Sequence, residues 1–88
     1  MNIIAQSRGG FAGVGERLAV DTALAANGRA IDAQIAALQG LAPPAAVGAD
    51  IMHWDITVDG GRQLAFDDDA SPDSAPWQQL IALLRSAA

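Results

Sequence analysis

The stretch DIMHWDITVDGGRQLAFD, residues 50–67, decides the fold. From Asp50 to Asp59 apolar and polar residues alternate: Met52, Trp54, Ile56 and Val58 face one way, His53, Asp55 and Thr57 the other. A side-chain period of two belongs to a strand with one buried face. Asp59-Gly60-Gly61 then signals a tight hairpin turn, because glycine accepts the positive φ that primed turns require. Arg62 to Asp67 is the returning strand, with Leu64 and Phe66 on its apolar side. An antiparallel hairpin that needs a partner for its apolar face follows.

The same pattern occurs upstream. Ile3 to Arg8 alternates, with Ile3 and Ala5 opposed to Ile4 and Gln6; Glu16 to Thr22 resumes it, with Leu18 and Val20 on one face. Between them lies SRGGFAG, residues 7–13, and the glycines at 9, 10, 13 and 15 fit a second hairpin connection. This loop has neither the lysine and hydroxyl residue of a phosphate-binding loop nor a helix behind it to receive an anion.

Elsewhere the period changes to that of a helix. Ile31, Ile35 and Leu38 fall at i, i+4 and i+7 within Arg29 to Leu38, with Asn27 placed to cap the start and Gly40 to end it in a left-handed conformation. Pro43-Pro44 bars continuation. After a polar turn read over Asp67-Asp68-Asp69 and Ser-Pro-Asp-Ser, Pro76 suits a first helical turn. Trp77, Leu80, Ile81 and Leu84 form a second stripe that ends near Arg85. The expected order is β-β-α-β-β-α, a single small α+β domain over residues 1–88. Its two hairpins share a four-stranded antiparallel sheet, with two helices packed on one face.

Composition narrows the function. Of 88 residues 51% are apolar, which supports an ordered core. Nine aspartates and one glutamate oppose five arginines, a net charge of −5. That balance argues against nucleic acid, whose phosphates need cations, and against a polybasic membrane anchor. No cysteine is present, so disulfides and thiolate metal sites are excluded. The opening residues MNIIAQSR lack the positive segment and apolar run of a secretory signal, and no run is long enough to span a bilayer. The expectation is a cytoplasmic protein.

Candidate chemistry is sparse. His53 and Asp55 share a strand face, but a lone histidine without a third ligand makes a poor zinc site and has no nucleophile to serve, so a solvent-facing polar pair is expected. Asp67-Asp68-Asp69 lacks the alternating oxygen spacing of a helix–loop–helix calcium site. Trp54 and Trp77 sit on apolar stripes and are expected in the core rather than as a sugar platform. No enzyme is legible.

Taken in order, SRGGFAG (7–13), VDT (20–22), a short helix, GAD (48–50), DITVDGGRQLAFDD (55–68) and LIALLR (80–85) resemble the emfourins. These are small bacterial proteinaceous inhibitors of thermolysin-like zinc metalloproteases such as protealysin. The likeness spans nearly the whole chain. It implies a non-catalytic, cofactor-free monomer whose partner is a thermolysin-like metalloprotease, blocked at its active-site cleft by an exposed loop. The alternative is an interaction or structural domain with no protease affinity.

Such proteases favour a bulky apolar side chain just after the scissile bond. In TALAANG, residues 22–28, Leu24 is the one large apolar side chain, flanked by Ala23 and Ala25. Under the resemblance these three residues contact the protease, with Phe11 and Gly10 of the glycine-rich loop flanking the same surface. Two fates remain open for Leu24, a wedge into the protease or a small core residue beneath its own loop. Phe11 is likewise either tucked against the sheet or offered to a partner.

Overall fold

The structure, a computed structural model, describes residues 1–9, 15–42, 51–68 and 72–87. Strands β1 (Asn2–Gly9) and β2 (Arg17–Asp21) form the first hairpin, and β3 (Met52–Val58) and β4 (Arg62–Asp68) the second. Helix α1 (Gly28–Leu38) lies between the hairpins; α2 (Ala75–Ala87) follows a single 3-10 turn at Pro72–Ser74. All four strands join one antiparallel sheet in the order β2-β1-β3-β4. The order and class are those read from the periodicities.

Strand order has a consequence for the connections. β1 pairs with both β2 and β3, so Ile3 lies opposite Val20 on one side and Val58 on the other. β2 and β3 therefore run parallel with β1 between them. Two parallel strands cannot be joined by a tight turn, and α1 occupies the crossover between them.

Alternation turns one sheet face toward the helices. Ile3 and Ala5 of β1, Leu18 and Val20 of β2, Trp54, Ile56 and Val58 of β3, and Phe66 of β4 are all buried. The helical stripes close over them through Ile31, Ile35 and Leu38, and through Trp77, Leu80, Ile81 and Leu84. Burying each large apolar side chain contributes about 1.5–3 kcal/mol. Phe66 and Trp77 meet with ring centroids 5.5 Å apart and planes tilted by 32°. Trp54 and Trp77 are each 2% exposed, the core placement their positions predict. Arg85 does more than complement the end of α2. Its guanidinium grips Glu16 through two hydrogen bonds of 3.0 and 2.7 Å and lies 5.8 Å from the centre of the Trp54 ring.

Several local expectations need correction. Asn27 precedes α1 and its carbonyl accepts from the Ile31 amide at 3.1 Å, but its side chain does not cap. Nδ2 instead donates to the Leu83 carbonyl at 3.0 Å, tying the start of α1 to α2. A side-chain bond across the helix pair has replaced a local one. Gly40 does not supply a left-handed end; positive φ among the described residues occurs at Gly9, Asp59 and Gly60. The helix closes by tightening, with the Leu41 amide donating to the Leu38 carbonyl at 3.0 Å. β4 runs through Asp67, as read, and one residue further to Asp68, which belongs to the strand rather than to the turn. No helix among the described residues is long and apolar enough to cross a membrane.

Candidate functional site

The segment between β2 and α1 is held by its backbone. Asp21, the last residue of β2, accepts from the Leu24 and Ala25 amides on its carbonyl at 3.0 and 3.1 Å, and from the Ala23 amide on Oδ1 at 3.0 Å. Thr22 is buried; its amide and its hydroxyl both donate to the Met1 carbonyl, at 3.0 and 3.4 Å. The Gly28 amide closes the far side on the Ala25 carbonyl at 3.1 Å. Ala25 packs against the core. The chain must also pass very close to itself, because a Cβ at Gly28 would sit 1.9 Å from the Thr22 carbonyl oxygen. Only glycine permits that approach.

These ties leave Leu24 pointing outward, 85% exposed. A single exposed leucine is ordinary in a folded protein. What distinguishes this one is its seat on a turn whose consecutive amides are already bonded and whose base is buried. Of the two fates open to Leu24, burial beneath its own loop is not the one adopted. Ala23, exposed, and Ala25, half-buried, flank it.

The register shows what else shares this end of the sheet. Asn2 pairs with Asp21 on one side. On its other side its amide donates to Asp59 Oδ1 at 2.8 Å, and its carbonyl accepts from the Asp59 amide at 2.7 Å. Asp21, at the root of the Leu24 turn, and Asp59, at the root of the 59–61 turn, therefore stand at the same end of the sheet, two strand spacings or about 10 Å apart. Positive φ at Asp59 (53°) and Gly60 (74°), with the Gly61 amide bonded to the Val58 carbonyl at 3.2 Å, gives the turn a defined shape.

Gly10 and Phe11 lie outside the described residues. The flanks of their loop, Gly9 and Gly15, are at the opposite end of the sheet, since β1 runs from Asn2 beside Asp21 to Gly9. Seven residue steps of extended chain separate those ends by roughly 23 Å. Leu24, Ala23 and Ala25 are thus brought together, and the base of the glycine-rich loop is not brought to them. That base is closed by Ser7, whose amide donates to the Glu16 carbonyl at 2.8 Å and whose Oγ accepts from the Glu16 amide at 2.7 Å.

A second cluster lies on the sheet face away from the helices. His53 Nδ1 is 2.7 Å from Asp67 Oδ1, and Nε2 is 3.1 Å from Asp55 Oδ1. Arg8 Nε reaches Asp55 Oδ2 at 3.5 Å. The hydrogen bond to Asp67, helped by Asp55, raises the His53 pKa above its ordinary value of 6.5 against the opposing effects of partial burial and the Arg8 charge. The expected His53–Asp55 pair is therefore part of a chain across three strands. The two carboxylates sit on opposite nitrogens of the ring, so the three groups cannot converge on one ion.

Asp67 was legible as the partner of His53. Counting outward from Val58 opposite Arg62 places His53 opposite Asp67. The placing of the Asp59 turn at the Leu24 end of the sheet had no such local signal, because it depends on which strand lies next to β1. No family model, curated protein or solved structure matches the chain.

Proposed function

We propose that this chain is a proteinaceous inhibitor of a thermolysin-like zinc metalloprotease, acting as a cytoplasmic monomer by seating Leu24 in the apolar pocket that follows the scissile position. The observation that supports it is Leu24, 85% exposed at the tip of a turn tied at its base. Peptidases read substrates as extended chain through backbone hydrogen bonds. The amides of Ala23, Leu24 and Ala25 already donate to Asp21, so the segment enters a cleft as a preformed turn. Little ordering entropy is lost on binding, and the backbone is withheld from the geometry that cleavage needs.

Titration of the protein and of Leu24→Ala into thermolysin-family peptidase assays tests this. The parent is expected to abolish activity stoichiometrically. Leu24→Ala should weaken inhibition by about 2 kcal/mol or more, the scale of an interface hot spot. Its stability should change by no more than about 0.5 kcal/mol, as for an exposed side chain. No loss of activity at large molar excess over several such enzymes overturns the inhibitor function and leaves an interaction domain. Undiminished inhibition by folded Leu24→Ala removes this residue from the mechanism.

A further inference from the structure

We propose that the Asp59–Gly61 turn is the second contact of the Leu24 surface, its bare glycine edge resting on the rim of the same protease cleft; this rests on the inhibitor reading above. Three observations converge on it. First, Asn2 bonds to Asp59 at 2.8 and 2.7 Å and pairs with Asp21, which places the two turns on one end of the sheet. A body entering a cleft with Leu24 foremost brings the 59–61 turn in with it.

Second, the turn holds its shape unaided. Asp59 tolerates its positive φ of 53° as few residues with a Cβ do, and its carboxylate is anchored on the Asn2 amide. A partner therefore meets a fixed outline and loses little in ordering it. Third, Gly61 is a glycine that the fold does not require. Its φ is not in the left-handed region, and a Cβ there would meet nothing within 4 Å. Absence of a side chain where neither backbone nor packing demands it leaves room for another surface to approach the main chain closely. Gly9 and Gly15, the described flanks of the glycine-rich loop, lie at the other end of the sheet.

The test adds bulk in the open space. Gly61→Trp should keep the parent's melting temperature and weaken inhibition at least about tenfold, close to 1.4 kcal/mol of binding free energy. Ala37→Trp, also exposed but roughly 14 Å along α1 from Gly28, should inhibit as the parent does. Because the chain has no cysteine, Gly61→Cys supplies a unique thiol whose maleimide labelling should slow in the complex, while Ala37→Cys labels at an unchanged rate. This second measurement stands if Gly61→Trp fails to fold. Parent-like inhibition by folded Gly61→Trp, or unprotected labelling at position 61 in a complex that Leu24→Ala abolishes, overturns the second contact alone. A parent that inhibits no thermolysin-like enzyme removes the reading beneath it.

Discussion

His53 shows how much a single position can depend on its cross-strand neighbour. Asp67 on β4 and Asp55 on β3 both favour the imidazolium, while Arg8 on β1 faces the same group through Asp55. The folded pKa is raised, so between 6.5 and that higher value the native state binds more protons than the unfolded chain. Stability from this group is fully present below pH 6.5 and falls as pH rises through the folded value. Denaturant melts across that range should show the parent losing stability with rising pH and His53→Gln losing less. Parallel curves for the two proteins would remove His53 from the pH dependence.

At the scale of elements, the turn and helix α1 meet at Gly28. Glycine is a poor first residue for helix stability, yet the Thr22 carbonyl would lie 1.9 Å from any Cβ there. Gly28→Ala must push Thr22 or α1 aside, and overpacking of this kind costs about 1–3 kcal/mol. Thr22 is also the buried root of the Leu24 turn, held twice by the Met1 carbonyl. Chemical denaturation should register the lost stability, and inhibition should weaken because Leu24 is no longer aimed as before. Unchanged stability would show that the turn can shift without strain. The strands and helices themselves follow from period-two and period-3.6 patterns, but the side-chain partner of Asn27 does not. Its carboxamide had an oxygen to cap α1 and an N–H to reach α2, and only the packing of the two helices brings the Leu83 carbonyl within 3.0 Å of Nδ2.

Across the whole molecule, the two residue clusters lie at opposite ends of the sheet. Leu24 and Asp59 stand at one, whereas His53 is paired in register with Arg8 near the other, roughly 20 Å along the sheet from Asn2. The lone histidine therefore cannot reach a catalytic zinc while Leu24 occupies the cleft, and both its ring nitrogens are engaged by carboxylates. With no cysteine in the chain, extraction of the metal has no ligand set to drive it. Inhibition should persist undiminished in excess zinc. Activity regained on adding zinc alone would overturn a cleft-blocking mechanism and point to chelation.

Sequence alone determined the elements and the side each turns to the core, because burial imposes its period on every strand and helix: Trp54, Ile56 and Val58 declare a buried face wherever β3 sits. It also declared the hairpin at Asp59-Gly60-Gly61, to which the structure adds the register, with Val58 opposite Arg62 and His53 opposite Asp67. Tertiary structure decided which strands are neighbours. Periodicity records that a face is covered but not by what, so the pairing of β1 with β3 across a long connection has no local signature. That pairing sets the roots of the Leu24 and Asp59 turns at one end of the sheet and the flanks of the glycine-rich loop at the other. The exposure of Leu24 was decided closer to home. Hydropathy would bury it, but the amides committed to Asp21 and the close pass of Gly28 beneath Thr22 turn the side chain outward.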